Sequence, residues 1–199
     1  MPIDTPPELP PYLHERIVCS IAASVHYDVP ANIVLAVAEK EAGKPGQWVR
    51  NKNGTHDVGA MQFNTRYLKG LTAHYGITAA DVAASGCYAY DLAAWRLHGH
   101  LNNDTGDLWT RAANYHSRTP YHNAVYRADL IRMASKWAVR LDAFLSGDAT
   151  KINAALSALA TPAPQTAKAV LPANTQPMIS IGLNTSYVPR QIVAKANNK

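Results

Sequence analysis

Two glutamates, Glu39 and Glu41, close a segment of helical spacing, Ala31–Ala42, that Pro30 opens and Gly43 ends. At about 100° per residue they sit about 200° apart around the helix and cannot act as a carboxylate pair. Glu41 follows Val34, Val37 and Ala38 by seven, four and three residues, which puts it on the apolar stripe. Glu39 follows Asn32 and Leu35 and lies on a more mixed face. A carboxyl at the end of an apolar stripe is poorly solvated when charged, so its pKa should rise. It can then donate a proton near neutrality. The same spacing also fits a solvated glutamate at a helix end.

The next stretch, Asn51-Lys-Asn-Gly-Thr-His-Asp57-Val-Gly59-Ala-Met61-Gln62-Phe63-Asn64, is rich in amides and glycine. Such residues suit a groove that hydrogen-bonds sugar hydroxyls and acetamido groups; they suit a surface connection as well. Trp48 lies nearby, where it could stack on a sugar ring, whereas Trp95, Trp109 and Trp137 fall on helical stripes and read as core. His98-Gly-His100 and the pair His116/His122 have no carboxylate or cysteine at ligand spacing, so no metal is expected. No phosphate-binding glycine loop or Ser–His–Asp arrangement is present, and no cofactor is implied.

The elements that must position these residues are mainly helical. Ile17, Ile21 and Val25 recur every four residues before Pro30. Residues 44–64 lack sustained alternation and read as a long loop or small hairpin. Thr78-Ala-Ala-Asp81 resembles a capping box, and apolar stripes follow over Tyr88–Leu101, Leu108–His116 and Tyr121–Leu145. Proline frames the chain, five of 13 lying in residues 1–11 and five between Pro162 and Pro189. The expected organisation is an extended lead over 1–12, one folded domain over 13–147, a short helix within 148–160, and a flexible tail over 161–199. With 199 residues the chain is long enough for one domain with a real core.

Charge follows the same division. The formal net charge of +5 belongs to the tail, because all 14 acids precede residue 151, where 14 of the 19 lysines and arginines balance them. The folded part carries no basic stripe, so specific nucleic-acid binding is not expected. No apolar run approaches the ~20 residues that span a bilayer, which argues against an integral membrane protein.

Glu41-Ala-Gly43, then Asp57-Val-Gly-Ala-Met-Gln-Phe-Asn64, resembles the Glu-Ser-Gly … Gly-Leu-Met-Gln-Ile signature of soluble lytic transglycosylases. Ala113-Asn-Tyr115-His116-Ser-Arg-Thr-Pro120 followed by Tyr126 is similar to that family's third motif and final-helix tyrosine. The flavour is closest to the small transglycosylases of type IV secretion and conjugation systems. Coverage is about residues 13–145. The departures are Ala42 for the usual Ser, Ala60 and Phe63 for Leu and Ile, and Asn114-Tyr115-His116 for the commoner Ala-Tyr-Asn.

The resemblance implies a lysozyme-like (α+β) domain that cleaves the β-1,4 bond between N-acetylmuramic acid and N-acetylglucosamine in peptidoglycan, leaving a 1,6-anhydromuramyl end. Glu41 would be the catalytic acid and base. Gln62 would bond the sugar in the groove and Tyr126 would orient Glu41. Met61, Asn64, Asp57 and Tyr115 would complete the substrate-binding set, with Met61 and Tyr115 shaping the cleft wall. Asp57 leaves open a water-activating role, and with it a hydrolytic muramidase; a wall-binding module without catalysis is the other alternative. A Cys19–Cys87 disulfide, like that of the small relatives, would persist in the periplasm. Residues 1–20 lack a signal peptide's charged start and apolar run, so export implies a trimmed signal or another route. The basic tail would meet anionic wall polymers, or dock on secretion machinery through Met178-Ile-Ser-Ile181, Leu183, Tyr187 and Val188.

Overall fold

The computed structural model describes residues 10–147, together with Thr150 and Ile192. The expectations for a short helix within 148–160 and a flexible tail over 161–199 fall outside the described residues, those two excepted. Ile192 is half-buried and packs against the hydrophobic core.

Helix α1 (Pro11–Tyr27) starts inside the stretch expected to be an extended lead. Pro11 occupies the first turn, where a missing N–H costs nothing, so the proline run initiates the helix. Of the anticipated stripe, Ile21 is buried and Ile17 is partly buried against the core, while Val25 is exposed; the buried face also takes in Leu13, Arg16, Cys19, Ser20, Ala23 and Ser24. This face packs on α2 (Ala31–Glu41) and α5 (Tyr88–Asn103).

Helix α2 is enclosed all round. Every residue from Ile33 to Ala38 is buried, because α1, α5 and the long helix α7 (Pro120–Leu145) surround it. An amphipathic stripe was expected, and a central helix without a polar face is found.

The segment after α2 does form a small sheet. Strands β1 (Trp48–Arg50), β2 (His56–Val58) and β3 (Phe63–Asn64) pair antiparallel in that order, with Trp48 opposite Val58 and Asp57 opposite Asn64. Helix α3 (Thr65–Tyr75) follows directly and was not expected. Its start is fixed by Asn64, whose side-chain oxygen accepts from the Arg66 N–H at 3.0 Å, and it ends at Gly76 in the left-handed region. The capping box at Thr78 and Asp81 is complete and opens α4 (Ala79–Ala83). Helix α6 (Leu108–Ala113) stops three residues before the expected His116, giving way to turns before Pro120 begins α7.

The described residues are thus mainly helical, seven helices with one three-stranded sheet. Among them no helix is long and apolar enough to cross a membrane. Trp137 is buried in the core as expected, while Trp95 and Trp109 are partly buried against it. The Trp137 indole N–H donates to Glu39 at 2.7 Å, and Arg140 lies 3.8 Å from the same oxygen. Glu39 is therefore tied to α7 away from the site described below.

Cys19 of α1 and Cys87, at the start of α5, form a disulfide that closes a sequence separation of 68. Constraining an unfolded loop of that size is worth about 4 kcal/mol in the chain-entropy account. Reduction should lower the unfolding free energy by a matching amount, seen as a lower urea midpoint, and thiol titration of the denatured, unreduced protein should find no free thiol. A midpoint insensitive to reductant would show that the crosslink does not stabilise the fold.

Candidate active site

The chain leaves α2 abruptly. Ala42 caps the helix in the left-handed region (φ 51°), and Gly43 then runs into tight contact with the turn between β2 and β3. A Cβ on Gly43 would stand 2.2 Å from the Gly59 carbonyl oxygen and 2.7 Å from the Gln62 amide nitrogen. Gly59 (φ 72°) is crowded in turn, since a Cβ there would lie 2.2 Å from the Val82 carbonyl of α4. Two glycines thus let the end of α2, the sheet turn and α4 stack backbone to backbone. The contact sets where Glu41 stands relative to the sheet.

The Tyr126 hydroxyl of α7 donates to Glu41 Oε1 at 2.7 Å. Burial pushes the Glu41 carboxyl up from 4.5 to about 7. The Tyr126 hydrogen bond and the charges of Arg96 and Lys40 pull it down, while the negative charge of Asp57 adds to the rise. Glu41 is thus poised to hold and release a proton near neutrality.

In front of Glu41 lies a cavity of about 340 Å³, lined also by Lys40, His116, Tyr121, His122, Val125 and Tyr126. The His116 ring stacks on Tyr126 with centroids 4.8 Å apart and planes at 1°. Burial, together with the charges of His122, Lys40 and Arg96, biases His116 toward the neutral form. The Lys40 ammonium is held by Asp129 of α7 at 2.5 Å.

The residues expected to bind substrate divide. Glu41 and Tyr126 meet at this cavity. Asp57 accepts from Asn64 Nδ2 at 2.8 Å across the β2–β3 pair, and the same amide donates to Thr55 Oγ1. Asn64 is occupied with these bonds and with capping α3. Met61 is fully buried in the core, and Tyr115 is buried with its hydroxyl donating to the Met61 carbonyl at 3.3 Å. Both belong to the hydrophobic core and neither lines the cavity. Gln62, in the left-handed region (φ 48°), donates its amide back to the Gly59 carbonyl at 2.9 Å. Trp48 stands half-exposed on β1, edge-to-face with His56.

Arg96 was not anticipated. Its guanidinium lies 4.3 Å from the Tyr67 ring centre and 4.7 Å from that of Tyr115, a cation between two aromatic faces. A signal was present, because Arg96 follows Ala89, Leu92 and Ala93 at helical spacing and so shares the buried stripe of α5. His116 and His122 were weighed only as a metal pair. Among the described residues, no group of His, Cys, Asp and Glu is arranged to hold a metal ion. No family model matches the chain, and no curated protein matches it either.

Two expectations follow from the electrostatics of Glu41. Removing the donor with Tyr126→Phe should move the Glu41 pKa above about 7, because the lost hydrogen bond favours the ionised form. Carboxyl carbon chemical shifts followed against pH would read this, and a downward shift would contradict the assignment of the bond. The second concerns stability. A folded-state pKa raised above the unfolded value means that the native state binds more protons, so stability falls as pH rises from 4.5 to about 7. Glu41→Gln should therefore be more stable than the parent above pH 7, by about 3 kcal/mol at most. The gain should shrink toward zero near pH 4, and urea melts at both pH values would check it.

Proposed function

We propose that the chain is a peptidoglycan lytic transglycosylase with a lysozyme-like catalytic domain. The observation that carries this reading is the partly buried Glu41 carboxyl, raised to about 7, fixed by the Tyr126 hydroxyl, and opening on a cavity. Two of the three sequence motifs line the cavity, Glu41 from the first and His116 with Tyr126 from the third, while the crowded Gly59–Gln62 turn of the second packs on Gly43 just beyond Glu41.

Protonated Glu41 gives its proton to the glycosidic oxygen between N-acetylmuramic acid and N-acetylglucosamine, and the bond from that oxygen to muramyl C1 breaks. The carboxylate left behind takes the proton of the muramyl C6 hydroxyl, whose oxygen closes on C1 to form the 1,6-anhydro ring. The 2-acetamido group of the substrate shares the stabilisation of C1 between these steps. One carboxyl thus serves as acid and then base, and its pKa near neutrality suits both duties. Arg96 and Lys40 oppose the rise that burial imposes, which keeps the carboxyl able to ionise.

A hydrolytic reading keeps one specific support. The charge of Asp57 raises the Glu41 pKa, so a second carboxylate is felt at the acid although it does not line the cavity. It would hold a water for attack on C1, as in two-carboxylate glycosidases. The Cys19–Cys87 disulfide suits an oxidising compartment, which supports a periplasmic setting. There the enzyme would open the wall locally for a secretion or conjugation apparatus, with components of which the C-terminal segment would associate.

Mass spectrometry of sacculi digested with the protein tests the assignment. Anhydromuramyl ends, one water lighter than reducing ends, are expected. Reducing ends would favour hydrolysis, and undigested sacculi would remove the enzymatic reading. Glu41→Gln should lower the rate by at least roughly 100-fold, since an amide cannot donate and retrieve the proton. Glu39→Gln, at the carboxylate bound to Trp137, should retain the reaction.

A further inference from the structure

The lining of the cavity is more basic and more apolar than a bare glycan calls for. Sugar hydroxyls and acetamides are neutral and are usually met by amides, hydroxyls and backbone groups. Here Glu41 is the single acid, beside the ammonium of Lys40 and the imidazoles of His116 and His122. Among the described residues neither imidazole has a hydrogen-bond partner, and both ring N–H groups are open to a ligand. Lys40 is stationed by Asp129, and His116 is held flat against Tyr126, so both are fixed before anything binds. Tyr121 and Val125, one turn apart on α7, line the same cavity while 74% and 54% exposed. Exposed apolar side chains beside a polar site mark contact with a ligand that has an apolar part of its own.

A second cavity, of about 260 Å³, also carries cations, Arg118 paired with Asp104 and Arg127 with Asp107 as Lys40 is with Asp129, but no imidazole lines it. Of these two cavities, the one at Glu41 combines imidazoles that lack a hydrogen-bond partner with exposed apolar surface. The substrate proposed above carries a matching group. The lactyl ether of muramic acid is amide-linked to a short peptide that combines methyl side chains with free carboxylates. Resting on that reading, we propose that Lys40, His116 and His122 bind a carboxylate of the muramyl peptide stem, with Tyr121 and Val125 against its aliphatic groups. The enzyme then selects stem-bearing glycan over bare glycan.

The test compares the full chain on solubilised glycan strands with stems intact and on the same strands after an amidase has removed them. Selection through hydrogen bonds to one carboxylate is expected to favour stem-bearing strands by about tenfold in kcat/KM. His122→Ala, at an exposed position, should raise KM on stem-bearing strands and bring the ratio toward one. Circular dichroism would check that its fold is retained, and His116→Ala supplies a second variant. Equal kcat/KM on both strands, or a ratio unmoved in both variants, overturns the proposal. If those strands are still cleaved with anhydro ends, the transglycosylase reading stands. If the parent protein cleaves neither strand, that reading fails and stem selection fails with it.

Discussion

The hydrogen bond from Tyr126 to Glu41 joins residues 85 positions apart and ties the end of the central helix to the longest one. Because α2 is enclosed on all sides, whatever stands at its end inherits a poorly hydrated environment. A charged carboxylate there would be costly. The fold meets that cost partly by letting the group hold its proton, and partly by supplying a donor and nearby cations when the proton leaves. Each element around the site contributes to that balance: α7 the hydroxyl, α5 the Arg96 charge, α2 Lys40, and β2 the opposing Asp57.

The glycine contacts convert this electrostatic arrangement into a fixed geometry. With Gly43 against Gly59, and Gly59 against α4, the sheet cannot move relative to α2 without breaking close backbone contacts. Two residues other than glycine, Ala42 and Gln62, are left-handed at either side of the contact. Each such residue carries roughly 1–2 kcal/mol of local strain. Their position beside Glu41 agrees with the tendency of such strain to gather where a site is held in one shape. The disulfide acts at the other end, fastening α1 to the start of α5, the helix that carries Arg96.

The acid and the facing wall of imidazoles and apolar side chains come from different parts of the chain. The acid comes from the end of a helix whose middle, Ile33–Ala38, is buried, whereas Tyr121, His122 and Val125 come from the exposed first turns of α7. Tyr126 links the two, since its ring carries His116 on one face and its hydroxyl reaches Glu41. A change in what His116 contacts is therefore felt at the group that restrains the acid.

Much was written locally in the sequence. Pro30 and Gly43 bracket α2, the Thr78–Asp81 box opens α4, and the stripe through Tyr126, Leu130 and Trp137 marks α7, because caps and periodicity depend on neighbours a few residues away. Spacing put Glu41 at the end of an apolar stripe but fitted a solvated helix end as well, and the resemblance of its motif is what singled it out. Helix α3 escaped because its cap, Asn64, closes an amide-rich stretch that reads as loop, and the exposure of Val25 on α1 escaped because the partner helices decide how far along the helix its apolar face is covered. The substrate-side residues were least accessible to sequence reasoning. Whether Met61, Tyr115, Gln62 or Asn64 faces a ligand or the protein depends on the β2–β3 turn and its packing against Gly43. The placement of Arg96 between two tyrosines, and of His116 against Tyr126, joins elements distant along the chain. Local spacing sets which side of a helix or strand a residue occupies; only the packing of those elements decides what that side meets.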